Sequence, residues 1–231
     1  MKKLLTSLLL AAGVISAHAE VTGNLGVTSD YRFRGVSQTQ NGVAVQGGLD
    51  YAHASGLYVG NWNSSVSSEL YPHSAGVESD LYAGYKKNFG PVSVDVGVLT
   101  YQYSKATTYN TTEAYAAVGY GPVTLKESVS LGDYFGTANS KHTTYSQADV
   151  AVPVVGKLTA VAHAGHTRVL HNTGLDYTDY KVGATYDLNG YLLNASYYTN
   201  KAKGRSFETV NTVNNEKLFK NAFVVGFTKT F

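Results

Sequence analysis

Few side chains in this 231-residue chain are equipped for chemistry. There are seven His and no Cys, which excludes thiolate catalysis, Cys-ligated zinc, iron–sulfur clusters and disulfide frameworks. His18 falls in the N-terminal leader, His53 in a tight turn, and His73, His142 and His171 in polar segments or at strand ends. His163 and His166 are three apart on one extended run. On a strand that spacing sends the two rings to opposite faces, so they cannot chelate one metal. No HExxH, GxSxG or P-loop string occurs, and a Ser, His and Asn triad of the membrane-phospholipase kind leaves no dependable spacing to find. The chain reads as a non-enzyme that needs no cofactor and no metal.

What the sequence does carry is charge at every second position. Thr22, Asn24, Gly26, Thr28, Asp30, Arg32 and Arg34 form one polar face, and its last three members are charged. Glu78 and Asp80 on a fourth strand, and Asp179 and Lys181 on a tenth, reach about the same height. Asp95, Lys126 and Lys86 point inward lower down. Charges of both signs around one lumen make a constriction that filters by size and polarity. Paired with one another, the same residues make a salt-bridged plug. The sequence leaves both arrangements open.

The elements that position these charges follow from a period of two. Val43, Val45, Gly47, Leu49 and Tyr51 alternate with Ala44, Gln46, Gly48 and Asp50; Val92, Val94, Val96 and Val98 alternate with Ser93, Asp95 and Gly97. Similar alternation runs through Val77 to Tyr85 and Tyr180 to Leu188. Each run has one apolar face and one small or polar face, the mark of a strand. Short turn signals centred on Gly56, Gly90, Gly121, Gly156 and Gly190 alternate with longer polar segments. Twelve strands result, at 21–34, 42–52, 57–66, 76–87, 92–104, 111–120, 122–134, 142–152, 157–167, 177–187, 191–200 and 219–231. Even strand number, short turns at one end and long loops at the other predict an all-β fold, a transmembrane antiparallel up-and-down β-barrel of the bacterial outer membrane. The competing arrangement is a soluble periplasmic β-sandwich. Two strands fit imperfectly: Glu127 shares a face with Val123, Leu125, Val129 and Leu131, and the apolar phase changes after Val98 to Leu99, Tyr101 and Tyr103. A β-bulge would repair either.

Residues 1–19 read as a cleaved signal peptide ahead of a barrel at 20–231. Lys2 and Lys3 precede a short apolar core from Leu4 to Ile15, and Ala17-His18-Ala19 is a small-x-small cleavage site. Losing Lys2 and Lys3 removes the formal charge of +2, so nothing marks a nucleic-acid partner. Charged residues make up 15% of the chain, against roughly 25% in an ordinary soluble domain. The chain ends on Phe231, with Phe223, Val225 and Phe227 on the same face and Lys229 interrupting it. Such a terminal strand is what barrel assembly machinery recognises. Most of the 19 Tyr read as interfacial girdles, with a sugar-stacking track inside the pore as the alternative. The last long loop holds Lys201, Lys203, Arg205 and Lys217 against Glu208 and Glu216. That mild basic excess suits lipopolysaccharide phosphates, or is simply a solvated loop.

Thr28-Ser29-Asp30-Tyr31-Arg32-Phe33-Arg34-Gly35-Val36-Ser37-Gln38, then Gln46-Gly47-Gly48-Leu49-Asp50-Tyr51, Gly56-Leu57-Tyr58-Val59-Gly60-Asn61-Trp62 and Glu78-Ser79-Asp80-Leu81-Tyr82-Ala83-Gly84-Tyr85 resemble the opening of the TorF family of proteobacterial porins. The resemblance implies an outer-membrane barrel and passive transport, and supplies no substrate or site residue. The expected protein is a narrow diffusion pore for small polar solutes, embedded in outer-membrane lipid and lipopolysaccharide. A non-conducting structural or adhesive barrel that acts through its outer loops is the alternative.

Overall fold

In the computed structural model, residues 19–73, 76–202 and 204–231 are described; the expected signal peptide up to residue 18, and Lys203, lie outside them. Twelve antiparallel strands close into one barrel. They are β1 (Glu20–Thr28), β2 (Ala44–Ala52), β3 (Leu57–Ser65), β4 (Val77–Phe89), β5 (Val92–Tyr103) and β6 (Thr111–Tyr120). The second half comprises β7 (Val123–Ser130), β8 (Thr144–Val155), β9 (Leu158–Arg168), β10 (Tyr177–Asp187), β11 (Tyr191–Ala202) and β12 (Ala222–Thr230). Each strand pairs with its neighbours in sequence, and β1 meets β12 from Asn24 opposite Thr230 to Thr28 opposite Gly226. Phe231 extends this seam: Gly23 N–H donates to its carbonyl at 2.8 Å, and its own N–H donates to the Gly23 carbonyl at 3.0 Å. No sheet edge is left to face lipid.

The alternation sorts the two faces as the sequence requires. Val21, Leu25, Val45, Leu49, Val59, Leu81, Val96, Val118, Leu125, Val182 and Leu193 stay exposed on the outside, with Phe223, Val225, Phe227 and Phe231 among them. Apolar atoms left uncovered around an entire barrel wall are stable only against an apolar solvent. Among the described residues, no helix is long and apolar enough to cross a membrane. The turn glycines Gly56, Gly90, Gly121, Gly156 and Gly190 all have positive φ, which suits the tight hairpins at one end. Long loops gather at the other.

Three expectations need correction. β1 ends at Thr28, so Asp30, Arg32 and Arg34 belong to a loop and not to the wall. The chain leaves the sheet because Asp30 accepts hydrogen bonds from Arg32 and Ser37, a local knot that competes with strand pairing. No bulge occurs at Glu127 or after Val98, since the registers of β4 to β8 are continuous there. Leu99, Tyr101 and Tyr103 keep the phase of Asp95 and are buried inside, while Glu127 points outward. The irregularity lies instead in β8, between Pro153 and Val155, where proline cannot donate to the ladder. Nor do most Tyr form girdles. Tyr51, Tyr85, Tyr120, Tyr180, Tyr186, Tyr191 and Tyr197 are exposed outside; the others turn into the lumen or the loops that cover it, because the interior is wide enough to need large side chains.

The wall makes a direct prediction. Leu81→Lys should destabilise the folded barrel in lipid by about 2–4 kcal/mol, as a cation near the bilayer midplane does, whereas Asn24→Lys, on the inner face, should cost little. Denaturant unfolding in vesicles, read by tryptophan fluorescence, compares the two.

Candidate functional site

The segment from residue 29 to 43 does not cross the mouth from outside; it folds into the barrel. Arg32–Phe33 pairs with Val36–Ser37 as a short ribbon, whose tip is Arg34-Gly35, with φ of 47° and 79°. Gly35 is required there twice over. Its φ is left-handed, and an added Cβ would collide with the Asn200 amide oxygen and come within 2.7 Å of Asp179 Cβ. The tip therefore touches β10 and β11. From it Arg34 reaches the opposite wall, where Nη2 donates to Glu113 Oε2 of β6 at 2.6 Å and Nη1 donates to the Tyr134 hydroxyl at 3.1 Å. Its guanidinium also lies 4.1 Å from the Tyr145 ring centroid and 4.7 Å from that of Phe33. Burial opposes the Arg34 charge, but Glu113 outweighs it and holds the group more strongly protonated than usual.

Asp30 and Arg32 anchor the base of the ribbon. Arg32 Nε donates to Asp30 Oδ2 at 2.7 Å, and Ser37 Oγ donates to Asp30 Oδ1 at 2.6 Å. Arg32 further donates to the carbonyls of Gly35, Leu218 and Lys220 and to Asn41 Oδ1. This ties the first loop to the last, whose Phe207 and Leu218 pack with Val36 and Tyr177. On the other flank Tyr31 packs with Trp62, Leu99, Tyr101 and Tyr103, backed by Phe33 and Phe135. Burial pushes the Tyr31, Tyr71 and Tyr134 hydroxyls above their ordinary titration range, so each remains a donor. Tyr31 donates to Glu78 Oε1 and Tyr103 to Glu78 Oε2, both at 3.0 Å.

Below the ribbon the wall is built from Tyr laid on Gly. Added Cβ atoms at Gly84, Gly97, Gly60 and Gly165 would lie 2.5–2.7 Å from ring carbons of Tyr58, Tyr115, Tyr82 and Tyr145 respectively, so each glycine is a seat for a neighbouring ring. Tyr58 donates to Asp95 at 2.7 Å and also contacts the Tyr115 hydroxyl. On the far side His163 of β9 bridges two strands: Nδ1 lies 2.7 Å from Asp149 Oδ1, and Nε2 lies 3.1 Å from Asp179 Oδ1 and 2.9 Å from the Tyr145 hydroxyl. Gln147 donates to the second Asp149 oxygen at 2.6 Å.

Between this cluster and the ribbon lies a cavity of about 190 Å³, bordered by Asp30, Arg32, Arg34, Lys126, Asp179 and Lys181. Glu78, Asp80 and Asp95 are buried in the wall away from that cavity. The inward charges thus divide between carboxylates sealed into the wall and groups that line a lumenal chamber. His163 and Glu113 escaped the sequence reading as members of this site. Their signal was present, since both occupy inward positions of their alternations, but nothing local says which wall residues the ribbon will meet. His166 faces away from His163, as its spacing requires. Among the described residues, no group of acidic, His and Cys side chains is placed to hold a metal ion.

The family model described as "Bacterial protein of unknown function (Gcw_chp)" matches residues 11–231. No curated protein matches the sequence. Similar solved structures include the KdgM porin, at 9% identity and a TM-score of 0.61 over 91% of this chain and 99% of that one. The NanC porin gives 10% identity and a TM-score of 0.56 over 91% and 99%. An outer membrane channel from Pseudomonas putida F1 gives 13% identity and a TM-score of 0.53 over 96% and 98%. At these identities the likeness is one of fold, and the fold is that of outer-membrane porins and channels.

Removing one partner of the buried Arg34–Glu113 pair should be costly. Arg34→Met is expected to destabilise by about 3–5 kcal/mol, while Arg34→Met combined with Glu113→Gln recovers most of the loss because no charge is left unpaired. A double-mutant cycle by denaturant unfolding measures the coupling.

Proposed function

We infer the function of this chain, which belongs to the Gcw_chp family of bacterial proteins of unknown function, from its own wall and lumen. It is an outer-membrane channel for passive diffusion of small polar solutes. The observation that carries this reading is the combination of a closed wall, apolar outside, with a chamber whose lining is polar and charged in both signs. A chamber below the ~300 Å³ of ordinary ligand pockets suits small metabolites rather than polymers. The TorF-like strings of the first four strands support the same reading. The arrangement needs no cofactor and no catalytic group: the solute gradient drives flux, and the ribbon and the charges around it select.

In this reading residues 1–19 direct export, the strand ending on Phe231 is what barrel assembly machinery engages, and the short turns face the periplasm. The long loops face outward, where Arg205, Lys217 and Lys220 meet lipopolysaccharide phosphates. Arg34, Lys126, Asp179 and Lys181 are the pore charges proper, and Asp30 with Arg32 set the constriction by holding the ribbon. One observation favours a second reading. The ribbon is so heavily bonded to both walls that a permanently closed barrel, acting through its loops, fits it equally well.

Single-channel recording of the chain from Glu20 onward in a planar bilayer separates the two. The channel reading expects small stepwise openings, and replacing residues 32–37 by a Gly/Ser linker should raise conductance several-fold. Folded protein that inserts and stays silent in both forms overturns it.

A further inference from the structure

The groups around the chamber differ in how far their hydrogen-bonding capacity is already used. The carboxylates are committed: Asp149 to His163 and Gln147, Asp179 to His163 and Tyr145, Asp30 to Arg32 and Ser37. The two lysines are not. Lys126 Nζ rests 4.0 Å from the Tyr115 ring centroid, and neither it nor Lys181 makes a hydrogen bond or ion pair with any described residue, although both border the chamber. The side chains of Asn194, Tyr198 and Ser128 border it too, equally without a hydrogen-bond partner among the described residues. Carboxylates act on both ammonium groups through space, Glu113, Asp95 and Asp149 on Lys126 and Asp149 and Asp179 on Lys181, but none bonds to them, so their N–H donors are open to an acceptor that enters the chamber.

We propose that this chamber is a binding site for a small hydroxylated carboxylate, whose anionic end sits between Lys126 and Lys181 and whose hydroxyls meet Asn194, Tyr198 and Ser128. The proposal rests on the channel reading for its biological sense but not for its test. The lysines project from β7 and β10, on either side of the strands that carry Gln147 and His163, so one anion placed between them is shared by two strands that do not touch. A neutral polyol of equal length would satisfy the hydroxyl partners but offer neither ammonium group a charge-assisted hydrogen bond. The site therefore discriminates by charge more than by shape.

Trp62 is the chain's single tryptophan and borders the same chamber, so its fluorescence reports occupancy directly. The experiment titrates the folded barrel in detergent with gluconate, with sorbitol as its uncharged counterpart and with inorganic phosphate as an anion lacking the hydroxylated chain. Saturable change is expected with gluconate, none with sorbitol, and weaker binding with phosphate. Lys126→Gln and Lys181→Gln should each weaken gluconate by about tenfold, the worth of one charge-assisted hydrogen bond, while Lys181→Arg keeps most of the affinity. Heat-modifiable gel migration verifies that each variant is folded. Equal response to sorbitol, tighter binding of phosphate, or indifference to both lysine substitutions overturns the proposal. A barrel that binds gluconate yet never conducts overturns the channel and leaves the site standing; one that conducts without binding does the reverse.

Discussion

The rest of the structure depends on closure. A strand in lipid has no water to satisfy its backbone, so every N–H and C=O must find a neighbour and the sheet must return to its own first strand. Here that return is the β1–β12 seam, extended by the reciprocal bonds of Gly23 and Phe231. Twelve strands then fix a circumference between the roughly eight that side chains fill unaided and the roughly 16 that leave open water. An interior of that intermediate width is the problem the remaining residues solve.

They solve it with large rings on small seats and with one folded loop. Tyr58, Tyr82, Tyr115 and Tyr145 lie over glycines of adjacent strands, which brings bulky side chains flat against the wall without thickening it. Where wall residues cannot reach the axis, the 32–37 ribbon crosses it from Asn200 and Asp179 on one side to Glu113 on the other. Part of the abundance of Gly and Tyr, 24 and 19 residues, follows from this pairing: Gly60, Gly84, Gly97 and Gly165 each leave room for a ring that a Cβ would displace. A soluble sandwich has no comparable need, because its two sheets fill each other's space.

Strand number, the parity of turns and loops and the inward phase of Glu78, Asp80, Asp95, Lys126, Asp179 and Lys181 were all legible in the sequence, because period two is a local property. Less legible was anything that depends on what lies across the barrel. Leu99, Tyr101 and Tyr103 look like a slip of phase only if every inner position is assumed to be wet; they face the apolar flank of the ribbon, which no local pattern announces. Asp30, Arg32 and Arg34 continue the alternation of β1 as if the strand ran on, yet Asp30 bonds to Arg32 and Ser37, and Arg34 to Glu113 across the barrel, which turns the chain inward. His163 was correctly separated from His166 by spacing. Its two aspartate partners come from β8 and β10, and pairings between strands are settled by register, not by neighbouring residues.

The wall and the ribbon differ in what can move. The wall is locked by a ladder of backbone bonds that lipid forbids from opening, so its circumference is fixed on any timescale relevant to diffusion. At its tip the ribbon is held to the rest of the barrel by side-chain contacts: one buried ion pair, the Tyr134 hydroxyl, the face of the Tyr145 ring and the Asn200 amide on the Gly35 carbonyl. A buried pair contributes modestly when whole and costs several kcal/mol when half of it is removed, while each aromatic contact adds about 0.5–2 kcal/mol. The tip is thus placed with high specificity by interactions whose sum is small beside the wall. Any change in the cross-section of this lumen must come from that loop. The base of the ribbon is pinned through Arg32 to Asp30 and to the carbonyls of the last loop.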